Sequence, residues 1–127
     1  MKILKSAEDY LEAVLMLKEE QGYVRSIDLA EHLGVTKPSV SYAIRQLRDN
    51  GYVTMDHAKM ISLTDKGMEI ADRIYARHKM LTEFFQEIGV NAATARDDAC
   101  KVEHDISDET FKALSAYTEK LAKEMRA

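Results

Sequence analysis

The interval Gly34-Val35-Thr36-Lys37-Pro38 constrains this chain more than any other stretch. Glycine takes the left-handed conformation that closes a helix C-terminus without a Cβ penalty. Thr36 is a favoured N-cap, and Pro38 falls in the first turn after it, where a missing N–H costs little. One helix must therefore stop at Gly34 and another start from Thr36, with only Val35 and Thr36 between them. Ser26 reads as the cap of a helix over Ile27 to Leu33, with Ala30 small where the two helices cross. The following helix carries Val40, Ala43, Ile44 and Leu47 and stops at Asn50-Gly51.

The flanking segments complete a mainly α fold. Ser6-Ala7-Glu8-Asp9 reads as a helix start, followed by apolar Tyr10, Leu11, Val14, Leu15 and Leu17 and ended by Gly22. After Gly51 come two β-like runs, Tyr52 to Met55 and Met60 to Leu63, around the four-residue hairpin loop Asp56-His57-Ala58-Lys59. Leu63-Thr64-Asp65-Lys66-Gly67 opens a long helix to about Gln86, and Gly89 breaks it. Asn91 caps a fifth helix carrying Asp97 to His104, and Ser107-Asp108-Glu109 starts a sixth that runs to about Met125. The division is expected inside the long fourth helix, giving domains over 1–72 and 73–127.

Composition sets the limits on this reading. One Pro and five Gly among 127 residues rule out collagen-like, low-complexity and most all-β chains. A single Cys excludes an intramolecular disulfide framework and fits a reducing compartment. No segment approaches the roughly 20 apolar residues of a membrane span. Met1-Lys2-Ile3-Leu4-Lys5 lacks a signal-peptide apolar region. The expectation is a soluble, cytoplasmic domain with no membrane partner.

Helix, tight turn, helix and hairpin form the winged helix-turn-helix order, which points to double-stranded DNA. The net charge of −4 argues the other way, since phosphate binding needs positive charge. Its distribution restores the case. From Val35 to Met55 the charged residues are Lys37, Arg45, Arg48 and Asp49, a local +2, while acid concentrates in Asp97, Asp98, Glu103, Asp105, Asp108 and Glu109. Lys37, Ser39, Ser41, Tyr42 and Arg45 project from the N-terminal half of the second helix of the pair, the part that enters a major groove. Thr36, Ser39 and Ser41 are short hydroxyl donors, Ser26 and Pro38 border the same surface, Arg48 adds charge, and Lys59 at the hairpin tip suits a neighbouring backbone. The bland alternative makes the Ser and Thr residues caps and solvated surface on a protein-interaction module.

A second constellation suggests metal. In Cys100-Lys101-Val102-Glu103-His104 the spacing i, i+3, i+4 on a helix puts thiolate, carboxylate and imidazole on one face. Asp9 and Glu12 pair on the first helix, and His78 on the fourth is a further source. Each piece has a plain reading too. A lone Cys is commonly a small buried hydrophobe. An acidic pair near a helix N-terminus serves the dipole. His32 and His57 read as surface or packing residues, and Arg77 and Lys79 around His78 fit a solvated helix face. A thiol enzyme using Cys100 and His104 lacks the oriented third group and oxyanion site such chemistry needs.

These pieces together resemble the diphtheria toxin repressor / manganese transport regulator family of metal-dependent transcriptional repressors. The resemblance runs from about Ala7 to Leu121, through Glu8-Asp9-Tyr10-Leu11-Glu12, the winged helix, Leu63-Thr64-Asp65-Lys66-Gly67, Arg77-His78-Lys79-Met80-Leu81 and Ala99-Cys100-Lys101-Val102-Glu103-His104. It implies a homodimer with an N-terminal winged helix-turn-helix DNA-binding domain and a C-terminal helical metal-binding and dimerisation domain. It also implies binding to a palindromic operator and repression of metal-uptake genes, with no enzyme activity and no small-molecule substrate. Asp9, Cys100, Glu103 and His104 match its primary metal site, and Glu12 and His78 match ligands of the manganese-type members, for one or two ions per subunit. Cys100 is the iron-type choice and Asp9 the manganese-type choice; Arg96 and Thr82 depart from the iron-type ancillary site, and Tyr42 replaces a base-reading Gln. A chain ending at Ala127 is expected to have no SH3-like third domain. A thiolate disfavours hard Mn²⁺, so Fe(II) is expected over Mn(II). The alternative is a metal-independent winged-helix regulator answering another ligand, with Cys100 merely packed.

Overall fold

In the computed structural model, which describes residues 5–126, the order is α1 (Lys5–Gln21), α2 (Ser26–Leu33), α3 (Lys37–Asp49), β1 (Val53–Met55), β2 (Ile61–Leu63), α4 (Asp65–Glu87), α5 (Ala92–Val102) and α6 (Asp108–Arg126). The stretch Met1 to Leu4, read above for a leader, lies outside the described residues. The chain divides after Arg73 into two compact units, so the division falls inside α4.

The first unit is a winged helix-turn-helix. Gly34 takes φ 68 after α2, and its N–H donates to the Ala30 carbonyl. Thr36 caps α3, its hydroxyl oxygen accepting from the Ser39 N–H at 3.3 Å. Leu11 and Val14 of α1, Val24, Leu29 of α2, Val40 and Leu47 of α3, and Val53 of β1 are fully buried together. Each helix thus contributes one apolar stripe at helical spacing, and burying these side chains is worth about 1.5–3 kcal/mol apiece. The hairpin pairs Val53 with Leu63, Thr54 with Ser62 and Met55 with Ile61. Ile61 N–H also donates to the Val24 carbonyl at 2.8 Å, tying the hairpin to the segment between α1 and α2.

Several boundaries differ from those expected. Arg25, not Ser26, caps α2, because the Asp28 carboxylate accepts from the Arg25 N–H at 2.9 Å and draws the helix start back one residue. Ser6 lies inside α1 rather than capping it; a helix propagates through a residue such as Lys5 at little cost. Tyr52 stays out of β1 because its N–H donates to the Leu47 carbonyl at the end of α3. The loop spans 56–60, one residue longer than expected. Oδ1 of Asp56 accepts from Ala58 N–H and Met60 N–H, both at 2.9 Å, and Lys59 adopts φ 62.

The start of α4 is seated directly on the hairpin. A Cβ at Gly67 would overlap the Tyr52 carbonyl oxygen. Thr64 Oγ1 accepts from Gly67 N–H at 3.1 Å and donates to the Gly51 carbonyl at 2.6 Å. Lys66 Nζ donates to the Asn50 carbonyl at 3.1 Å and stands 4.3 Å over the Tyr52 ring.

In the second unit Ile74 and Leu81 of α4 and Ala95 and Ala99 of α5 are buried beside Arg77 and Glu103. Asn91 caps α5 by accepting from Ala93 N–H, and Ser107 accepts from Thr110 N–H in the first turn of α6. The fifth helix stops at Val102 with Glu103 as its C-cap, and residues 103–105 form a turn. His104 therefore leaves from that turn and not from the helix face expected for it. Among the described residues no helix is long and apolar enough to cross a membrane.

Candidate metal centre and nucleic-acid face

Because α3 buries Val40, Ile44 and Leu47, its opposite side is polar by default. Thr36, Lys37, Pro38, Ser39, Ser41, Tyr42, Arg45 and Arg48 are all exposed, Tyr42 by 64%. Ser26 is half-buried at the start of α2 and, with Ser41, Ile44, Arg45, Arg48 and Met55, lines a depression of about 160 Å³. Thr36 Oγ1 also donates to Ser39 Oγ at 2.9 Å. Lys59 is exposed at the tip of the wing. Three cations and a run of hydroxyls therefore share one protruding helix face, at whose N-terminus backbone N–H groups favour phosphate.

The candidate metal-ligating side chains fall in two sets. Asp9 and Glu12 belong to the first unit, one turn apart on α1, with Asp9 half-buried and Glu12 buried. In the second unit α4 and α5 bring together His78, Cys100 and Glu103, one ligand atom of each lying within 4.8 Å of the others. Nδ1 of His78 stands 3.0 Å from Oε2 of Glu103, and Nε2 of His104 stands 3.4 Å from Oε1. Glu103 is 0% exposed, and its Oε1 has no hydrogen-bond partner among the described residues. Taking an ionised carboxylate out of water costs on the order of several kcal/mol unless charge or hydrogen bonds compensate it. An imidazole at each oxygen and a thiol alongside make a nitrogen, oxygen and sulfur donor set that fits a divalent transition metal. The charge of such an ion would supply the missing compensation.

Arg77 corrects the sequence reading. It does not lie on a solvated face; it is 4% exposed and its guanidinium faces the turn after α5. The available signal was the apolar period of α4, since Ile74, Arg77 and Leu81 sit at i, i+3 and i+7 on the buried stripe.

Comparison with known proteins covers both units. The family profile described as iron dependent repressor, N-terminal DNA binding domain, matches residues 2–61. The profile described as iron dependent repressor, metal binding and dimerisation domain, matches residues 64–126. The chain belongs to the iron-dependent repressor family. Its class is that of metal-dependent, DNA-binding transcriptional repressors and not of enzymes, and its partners are DNA and a second copy of the chain. Among its relatives, an uncharacterised HTH-type transcriptional regulator of Methanocaldococcus jannaschii is 36% identical over 118 residues, 91% of this chain and 94% of that one. The HTH-type transcriptional regulator MntR of Bacillus pumilus is 38% identical over 102 residues, 80% of this chain and 71% of that one. A solved manganese-dependent transcriptional repressor in complex with manganese superposes with a TM-score of 0.79 at 34% identity, covering 87% of this chain and 51% of the other. The chain thus spans about half the length of that solved repressor.

Proposed function

We propose that this repressor senses a divalent metal through His78, Cys100, Glu103 and His104, completed by Asp9 and Glu12 of α1, and that metal loading promotes binding to a palindromic operator at metal-uptake genes in the cytoplasm. The observation that carries the reading is Glu103, a wholly buried carboxylate whose two oxygens face two different imidazoles. These side chains would hold one ion or, with Cys100 or Glu103 shared, two. When bound, the ion supplies positive charge to a carboxylate-rich site and a tie between ligands distant in sequence. Asp9 and Glu12 would draw α1 into that tie. Lys37, Ser39, Ser41, Tyr42 and Arg45, with Ser26, Thr36, Pro38, Arg48 and Lys59 around them, would then meet successive major grooves about 34 Å apart from the two subunits of a dimer. Linkage requires that DNA tighten metal binding by the same factor.

The Cys100 sulfur favours Fe(II) over Mn(II) in this site, although the solved relative at 34% identity is a manganese-dependent repressor. A second reading, an organic effector acting without metal, draws support from a cavity of about 610 Å³ between α1 and α3, lined by Tyr10, Tyr42, Ala43 and Leu47 among others. Anaerobic titration of the metal-free chain with Fe²⁺, Mn²⁺, Co²⁺ and Zn²⁺, read out on labelled operator DNA, separates the two. Metal-dependent binding, with a Co²⁺ thiolate absorption band lost in Cys100→Ala, is expected. Equal DNA binding in chelator and in metal would refute the metal reading and leave the effector cavity.

A further inference from the structure

We infer that Arg77 is a positioning residue for the metal centre, fixing the backbone from which two ligands project; this rests on the assignment of Glu103 and His104 as ligands. The last carbonyls of a helix have no partner in its own ladder. At the end of α5 the Glu103 carbonyl accepts from Arg77 Nη1 at 3.1 Å, and the same nitrogen donates to the Ile106 carbonyl at 2.8 Å. Nη2 donates to the carboxylate of Asp108, the first residue of α6, and the guanidinium lies 5.3 Å from the centre of the Phe111 ring. One rigid plane therefore holds the end of α5, the turn after it and the start of α6. Glu103 and His104 both lie within the segment so held.

The neighbouring residue completes the argument. Arg77 and His78 are adjacent on α4, so their side chains diverge by about 100°. Arg77 takes the main-chain carbonyl of Glu103, while His78 Nδ1 stands 3.0 Å from the carboxylate of the same residue. The guanidinium thus orients Glu103 without drawing on its carboxylate, which remains directed at the two imidazoles. A buried cation with two neutral carbonyl acceptors and one carboxylate is well matched by the planar fork of Arg. The point charge of Lys reaches fewer of these acceptors in one plane.

The test titrates wild-type, Arg77→Lys, Asp108→Asn and Cys100→Ala chains with Co²⁺ under anaerobic conditions, reading affinity by chelator competition and ligand geometry by the visible spectrum. Melting of the metal-free chains is followed in parallel. Arg77→Lys is expected to bind Co²⁺ about 10–100-fold more weakly and to shift its ligand-field bands, as loss of an outer-shell orienting group does. Asp108→Asn, which keeps both carbonyl bonds, is expected to show a smaller loss with a shift in the same direction, and it decides the matter if Arg77→Lys is recovered unfolded. Wild-type affinity, or weaker binding with an unshifted spectrum, overturns the inference whatever the melting temperatures do. A wild-type chain with no Co²⁺ thiolate band sensitive to Cys100→Ala fails at the earlier step, the metal reading itself.

Discussion

Gly67→Ala probes how the wing is seated, and its sign distinguishes packing from propensity. Gly67 is the third residue of α4, so by helix propensity alone alanine should stabilise it by no more than about 1 kcal/mol. The added Cβ, however, would overlap the Tyr52 carbonyl oxygen and stand 3.0 Å from its carbon and 3.3 Å from Leu63 Cδ2. A relaxed carbon–oxygen contact is about 3.3 Å, so the carbonyl or the helix start must move by about 1 Å. The carbonyl cannot retreat freely, because it accepts from Thr64 N–H at 3.1 Å. Loss of that bond costs about 1–3 kcal/mol if the carbonyl is left unsatisfied, and crowding against the buried Tyr52 backbone adds about 1–3 kcal/mol. After the propensity gain the net destabilisation is about 1–5 kcal/mol. Urea unfolding of the full chain followed by circular dichroism should show an earlier transition with an unchanged slope. A transition at the wild-type midpoint or later would refute the claim that α4 rests directly on the hairpin.

Further substitutions separate the roles of the polar residues. Thr36→Ala removes the α3 cap and should destabilise the first unit by about 1 kcal/mol, measured by the same unfolding assay. Arg48→Ala should weaken binding to all DNA sequences alike and reduce the salt slope of log K by about 1, measured by anisotropy across a salt series. A loss confined to one operator sequence would instead make Arg48 a base reader.

The helix-turn-helix was legible because its signals are local. Gly34 and Thr36 carry their backbone geometry in their own chemistry, and the structure places both as their types demand. Ser26 misled because residue type alone ranks Ser above Arg as a cap, whereas the Asp28 carboxylate three residues after Arg25 decides the position. For the candidate metal site, helical spacing was only part of what groups Cys100, Glu103 and His104, since α5 ends before His104. Its approach to Glu103 depends on a turn held by Arg77, and that hold joins residues 26 and 29 positions apart. A window of sequence contains no such pairing, and a cation beside a histidine reads as solvent-facing until the burial of its neighbours is known.

The wing tip bears on how such a chain drifts over generations. Lys59 occupies the left-handed region at φ 62, where a side chain other than Gly or Asn is strained by about 1–2 kcal/mol. Asparagine at this position would relieve much of that strain, and mutational drift offers such replacements freely. A lysine at this turn therefore costs stability that asparagine or glycine would not, and the wing tip carries its positive charge at that expense.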